Sequence, residues 1–316
     1  MSQRVLVFGG TGTIGRATVR ALVDCGHEVV SFGRSKSDIP GVEVRTGDVT
    51  DPKSCLADGF CKEPFDAVVS CLASRTGSPV DAWAIDHDAH IALLESAMIA
   101  GVARFVLLSA ICVQKPKLQF QRAKLAFEER LISSGLSYSI VRPTAYFKSL
   151  SGQIARVQAG KPFLLFGRGE LTACKPISDR DLGSYLACCL TDAGLQNRIL
   201  PIGGPGPAIT PLAQGEMLFR LAGLEPKFRK VPVAMMDAII GGLTLGGRLS
   251  STLAAKAELA RIGRYYATES MLVWDADRGR YDADATPEFG EDRLEAHYER
   301  VLSGHEKVAL GDHAVF

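Results

Sequence analysis

A chain of 316 residues is about twice a common domain length, enough for one large α/β unit or for a nucleotide-binding domain with a smaller lobe. Its 36 Lys and Arg against 35 Asp and Glu leave a net charge of +1, so no basic field exists to hold a nucleic-acid backbone. A content of 47% hydrophobic and 22% charged residues excludes a disordered chain. The eight cysteines (Cys25, Cys55, Cys61, Cys71, Cys112, Cys174, Cys188, Cys189) include no Cys-x-x-Cys pair. They read as reduced thiols of a cytoplasmic protein without a zinc or iron–sulfur site, and the vicinal Cys188-Cys189 as helix packing.

The opening MSQRVLVFGG runs straight into a strand and lacks the charged, apolar and small-residue order of a secretory signal. Short β-branched runs then alternate with longer helical stretches. Strands are expected at Arg4–Phe8, Glu28–Phe32, Val42–Arg45, Ala67–Cys71, Phe105–Leu108 and Tyr138–Val141. Helices are expected over Ile14–Cys25, about Asp81–Ala100 and Phe120–Ser133. Runs such as VLVF and AVVSC are apolar throughout, as strands covered on both faces must be. The pattern predicts an α/β fold built on a doubly wound parallel sheet. Ser178–Asp181 (SDRD) reads as a capping box opening a helix to about Leu190, and Ile199–Ile202 as one more strand. Beyond Gly206 the alternation stops and the chain reads as mostly helical. The expected organisation is a nucleotide domain over 1–145, rejoined by 177–204, and a substrate lobe from 146–176 and 205–316.

Directly after the first strand come Gly9, Gly10, Thr11, Gly12, Thr13, Ile14 and Gly15, a Gly-x-x-Gly-x-x-Gly pattern that opens a helix. Glycines there permit a tight turn and close backbone approach to a pyrophosphate, and the helix N-terminus adds donor N–H groups. Between a strand and an amphipathic helix the pattern reads as a Rossmann-type dinucleotide site. About twenty residues on, an NAD site places an acid on the ribose 2′-hydroxyl. No acid occurs here until Asp38; Arg34, with Ser35 and Lys36, instead offers a fork suited to a 2′-phosphate, which points to NADPH. A solvated surface Arg is the alternative. Asp48 and Val49 are expected beside the adenine, with a plain turn cap as an equal reading of Asp48.

With the glycine motif, Asp48, Ser109 and Lys124, the first half resembles the short-chain dehydrogenase/reductase superfamily, in its extended or atypical branch. That resemblance implies a Ser and a Tyr-x-x-x-Lys, the Tyr protonating a carbonyl oxygen and the Lys holding the nicotinamide ribose. This chain reads Phe120-Gln121-Arg122-Ala123-Lys124: the Lys is kept, and the Phe has no proton to give. Ordinary carbonyl chemistry is thereby put in doubt.

The stretches SAICVQKPKLQFQRAKLAFE, SIVRPTAYFKSLSGQIARVQAGKPFLLFG, ELTACKPIS and ARIGRYYATESMLVWD resemble, more specifically, the NADPH-dependent divinyl chlorophyllide 8-vinyl reductase family, over nearly the full chain. The resemblance implies reduction of a vinyl group on a chlorophyllide-type tetrapyrrole to ethyl, without flavin or cluster, in the cytoplasm or peripheral to a photosynthetic membrane. A carbon–carbon double bond has no carbonyl oxygen to protonate, which fits Phe120 as an apolar wall. Lys124 is then the residue that orients the cofactor and stabilises developing charge. Proton donation is left among Tyr146, Ser109 and the group Tyr265, Tyr266 and Glu269; Phe147 joins these last three as a substrate contact. Core packing is the alternative for Tyr146, Phe147 and the tyrosine pair. A rival reading keeps the nucleotide site but no catalysis, making the chain an NADP-binding regulator or assembly factor; another makes it a reductase of a different conjugated alkene.

His87 and His90 lie three apart in an expected helix but lack a third metal-ligand signature, so surface or capping roles are preferred over a metal. Val231–Gly247, with Met235, Met236, Ile239, Ile240 and Leu243, is too short to span a bilayer. It reads first as a buried helix and otherwise as a pigment-pocket lining or a surface resting on a membrane.

Overall fold

The computed structural model describes residues 2–36 and 39–308, so Asp38 lies outside the described residues. The chain divides into two compact units. The first runs through Pro143, apart from Thr76–Ser78, and is rejoined by Asp179–Ile202; the second comprises Thr76–Ser78, Thr144–Ser178 and the chain from Gly203 onward.

The first unit carries β1 (Arg4–Phe8), β2 (Glu28–Gly33), β3 (Glu43–Thr46), β4 (Ala67–Ser70), β5 (Arg104–Leu108), β6 (Ser137–Pro143) and β7 (Arg198–Ile202). They form one sheet in the order β3-β2-β1-β4-β5-β6-β7, every pairing parallel. The strand order reverses between β1 and β4, the place where open α/β sheets gather ligands at the carboxyl ends of their strands. Alternate side chains of β1 serve the two faces. Leu6 and Phe8 join a core with Val30, Phe32, Leu93, Phe105, Phe127 and Ile140, while Val5 and Val7 are also wholly buried.

The longer helices beside the sheet are α1 (Thr13–Asp24), α2 (residues 79–99), α3 (Gln119–Ile132) and α4 (Asp179–Thr191), with a shorter helical segment over residues 52–60. On α1 the buried residues Ile14, Gly15, Thr18, Val19 and Leu22 form the expected apolar stripe. Periodicity does not reveal that α2 contains a wide π turn, Trp83–Ala89, between regular segments Pro79–Ala82 and His90–Ile99. Cys188 and Cys189 sit within α4, and no cysteine among the described residues forms a disulfide.

In the second unit Phe163–Phe166 pairs in parallel with Phe228–Val231, and Val273–Asp275 pairs antiparallel with Arg280–Asp282. The longer helices are α5 (Pro211–Leu221), α6 (Val233–Gly247), α7 (Ser251–Thr268) and α8 (Leu294–Leu302). Phe147, Ile154, Phe163, Leu218, Phe219, Leu294 and Tyr298 form its core. The expectation of a buried helix at Val231–Gly247 is overturned: α6 has no buried residue.

Candidate active site

The parallel register sets Phe8 level with Phe32 on one side and Ser70 on the other, so the glycine turn emerges beside the exits of β2 and β4. Gly9 has φ +77°, and a Cβ on it would stand 2.8 Å from the backbone of Cys71. At Gly15 a Cβ would run into the Gly9 carbonyl oxygen. Gly12 differs: its φ of −71° suits any residue, and the nearest atom to a Cβ, the Gly9 oxygen, is at an ordinary 3.5 Å. Thr11, Gly12 and Thr13 are exposed, and α1 starts with neither a side-chain cap at Gly12 nor an acid in its first turn. Nothing in the first unit's own packing requires Gly12 to be glycine. An open backbone cradle at a helix N-terminus is what a dinucleotide pyrophosphate needs.

Arg34 is exposed just past the end of β2. Asp48 accepts hydrogen bonds from the Thr50 backbone N–H at 2.9 Å and the Thr50 hydroxyl at 2.7 Å. Those bonds hold its carboxyl below the usual range, with the Arg34 charge a smaller contribution. Asp48 is thus a turn cap, and Val49 belongs to the core.

Helix α3 carries Phe120, Lys124 and Glu128 at successive four-residue steps, along one side. Phe120 is buried at 8% exposure and presents no polar atom. Lys124 Nζ lies 2.9 Å from Asp86 Oδ1, and the Asp86 side chain is wholly buried. Asp86 in turn accepts from the Ser74 hydroxyl at 2.6 Å and the Ser74 backbone N–H at 3.2 Å. The lysine is thereby tied, through the π turn of α2, to the segment leaving β4.

His90 closes the same region. Its Nδ1 is 2.8 Å from the Ile85 carbonyl, which only accepts, so Nδ1 bears the hydrogen and Nε2 accepts from the Ser70 hydroxyl at 2.9 Å. Burial, reinforced by the nearby Lys124 charge, pushes the imidazole down to about 4, so it is neutral at physiological pH. His87 instead lies 2.7 Å from Asp88 and edge-on to Trp83. The two histidines do not converge on one point, and no group of three metal-ligating side chains exists among the described residues.

Ser109 is buried, and its hydroxyl donates to Glu128, which also binds Arg142. Its hydroxyl hydrogen is engaged by a buried carboxylate that joins β5, α3 and β6. Asp86, Ser74, Glu128 and Arg142 went unseen in the sequence because they meet only in three dimensions.

The remaining expected residues lie in the second unit. Tyr146 is half-buried and bridges in parallel to Ile177. Phe147 is a core aromatic stacked on His297 with ring centroids 5.4 Å apart, which corrects its reading as a substrate contact. Tyr265 is buried, Tyr266 is exposed, and their rings meet edge-on at 5.7 Å. Glu269 is buried and accepts from the Tyr281 hydroxyl at 2.6 Å.

A family model described as NAD(P)H-binding matches residues 9–193, the stretch that holds the glycine turn and Lys124. A divinyl chlorophyllide a 8-vinyl-reductase from Zea mays is 49% identical over 99% of this chain and 82% of its own length. The chain belongs to the divinyl chlorophyllide a 8-vinyl-reductase family. Family membership therefore covers both units and not the nucleotide half alone. A photosystem II assembly factor from Guillardia theta is 28% identical over 73% of this chain and 74% of its own. Among solved structures, an epimerase from Methanothermobacter thermautotrophicus superposes with a TM-score of 0.70 at 15% identity, covering 96% of this chain and 93% of that one. At that identity the likeness speaks for the fold.

Proposed function

We propose that this protein reduces the C8 vinyl group of a divinyl chlorophyllide or protochlorophyllide to ethyl, with NADPH as reductant, in (bacterio)chlorophyll biosynthesis. The observation that carries the proposal is the 49% identity to a named 8-vinyl-reductase across 99% of the chain. A role limited to assembly has weaker support, since the relative so named matches only 73% of this chain at 28% identity.

The Gly9–Gly15 turn would hold the pyrophosphate, Arg34 the 2′-phosphate and Lys124 the nicotinamide ribose. When bound, NADPH supplies a hydride. The terminal carbon of a vinyl group conjugated to a tetrapyrrole accepts it because the resulting charge spreads into the macrocycle, and a proton then completes the ethyl group. The protein's contribution is placement and charge stabilisation. Asp86 fixes Lys124 in one position, and the neutral His90 adds no competing positive charge. Phe120 offers an apolar wall where carbonyl reductases carry a proton donor. Tyr146, Tyr265, Tyr266 and Glu269 are the residues we assign to substrate and proton in the second unit. The same proposal places the protein in the cytoplasm or at the periphery of a photosynthetic membrane; no helix among the described residues is long and apolar enough to cross one.

The test is an anaerobic incubation of purified protein with NADPH and divinyl chlorophyllide a, followed by chromatography and mass. Gain of two hydrogens at the vinyl group is expected, slowed on the order of a hundredfold in Lys124→Met. Phe120→Tyr should bring no gain, because a hydroxyl without a partner in an apolar site costs about 1–3 kcal/mol. Binding of NADPH without turnover would favour the assembly role, and reduction of simple ketones with the pigment untouched would return the chain to carbonyl chemistry.

A further inference from the structure

Helix α6 is apolar nearly all the way round, and only one side of it is even partly covered. Met235, Ile239 and Leu245 are 48%, 49% and 64% exposed, and Leu249 just beyond the helix is 94% exposed. At 100° per residue the three helical side chains fall within an arc of about 120°. The half-buried Val233, Met236, Ile240 and Leu243 fall between about 80° and 160° from Met235 and make the more covered side, while the exposed Asp237 and Thr244 lie just beyond them and reach side chains of α7. Asp237 binds Arg264, and the Thr244 hydroxyl accepts from Arg261 at 2.7 Å. A helix that covers one apolar side within its own unit and leaves a second apolar side exposed is built to meet something apolar.

The charges around this face say what. Lys227, Arg229 and Lys230 precede α6, Arg248 follows it, and Lys256 lies on α7. All five are exposed, and none forms an ion pair among the described residues. The acids of the hairpin, Asp237 and Glu258, are already taken by Arg264 and Arg261. Against the one exposed acid of the preceding segment, Glu225, what is left is a surplus of cations before and after an apolar stripe, complementary to a layer of anionic headgroups over hydrocarbon. With 15 residues α6 is about 22 Å long, short of the roughly 30 Å needed to span a bilayer.

We infer that the α6–α7 hairpin docks the protein on an anionic lipid surface, α6 lying in the interface with Met235, Ile239, Leu245 and Leu249 immersed and the flanking Lys and Arg on the headgroups. This deepens the membrane part of the reading above. Its test uses neither cofactor nor pigment, so failure of the docking and failure of the reductase reading are separable.

Full-length protein is sedimented with vesicles of phosphatidylcholine alone, or of phosphatidylcholine with about one-third phosphatidylglycerol, a composition that supplies the negative surface potential. We expect it to pellet with the anionic vesicles, to stay in solution with the neutral ones, and to be released by salt. The variant R229Q/K230Q/R248Q should lower partitioning on the order of a hundredfold, at about fivefold per cation. M235S/I239S/L245S should lower it by roughly tenfold or more, with circular dichroism and thermal midpoint unchanged because these side chains are exposed. Wild-type protein left in the supernatant with anionic vesicles would overturn the inference, as would both variants binding like wild type. A dimer in light scattering that M235S/I239S/L245S splits into monomers would assign the face to a second copy instead.

Discussion

A guanidinium at the end of a second strand distinguishes two nicotinamide cofactors only through the group in which they differ, the 2′-phosphate on the adenosine ribose. Arg34 is exposed there, and Asp48, whose carboxyl feels its charge, is occupied by Thr50. Losing one charge-assisted contact costs about 1.5–3 kcal/mol, roughly ten- to a hundredfold in affinity. Calorimetry on Arg34→Ala should therefore show NADPH binding weakened by that factor and NADH binding unchanged. An equal loss for both cofactors would mean that another residue reads the phosphate. Single residues were legible in the sequence where their meaning is local: Lys124 stands four residues after Phe120, and Gly12 opens a helix. Asp86 was not, because nothing in its neighbours announces the ion pair that it makes 38 positions along the chain (124 − 86). The hydrogen bond from Ser109 to Glu128 was likewise not legible, since Glu128 is brought in by another element.

At the scale of elements, the β1–α1 turn separates two reasons for a glycine. Gly15 is needed by the protein, whose Gly9 carbonyl oxygen occupies the space a side chain would take, whereas Gly12 has room for a Cβ. Gly15→Ala should therefore destabilise the fold by about 1–3 kcal/mol through overpacking. Gly12→Val should leave the thermal midpoint nearly unchanged and abolish cofactor binding, because the branched side chain fills the cradle. Paired melting curves and titrations check this; cofactor affinity retained by Gly12→Val would remove the turn from the binding site. All seven strands of the sheet were visible in the sequence within a residue or two, the central ones because strands buried on both faces are unbroken apolar runs, the edge strands β3 and β7 from shorter β-branched stretches. Two helices were not read correctly. The π turn in α2 changes hydrogen bonding and not composition, so periodicity passes over it. The exposed face of α6 was not legible, because the helix is apolar nearly all round and its abundance of Met, Ile and Leu suggests burial.

Over the whole molecule the charges nearly cancel, +1 in all, so the response of stability to mild acid rests on individual groups and not on general repulsion. Two sets are perturbed, and both lose their contribution as pH falls, in successive ranges. Asp48, Glu63, Asp282 and Glu288 are held below the usual carboxylate range by hydrogen bonds, so what they contribute is present above the unfolded value and lost as pH falls toward their folded ones. The histidines act earlier. Burial pushes His90 from 6.5 down to about 4, and it lowers His27 as well, helped by the N-terminal charge. Between pH 6.5 and about 4 the unfolded chain takes up a proton at His90 that the folded chain refuses, so stability must fall as pH falls through that window. Integrated over it, the loss from His90 alone is about 3 kcal/mol. Chemical denaturation followed from pH 7.5 to 4.5 should show that decline before the carboxylates titrate. In His90→Asn the starting stability should be lower, because Ser70 and the Ile85 carbonyl lose a partner, yet the slope should be shallower by up to one proton's worth, about 1.4 kcal/mol per pH unit. A wild-type profile flat across this range would mean that His90 is protonated in the folded state, beside Lys124, and that the neutral imidazole assigned to the site is wrong.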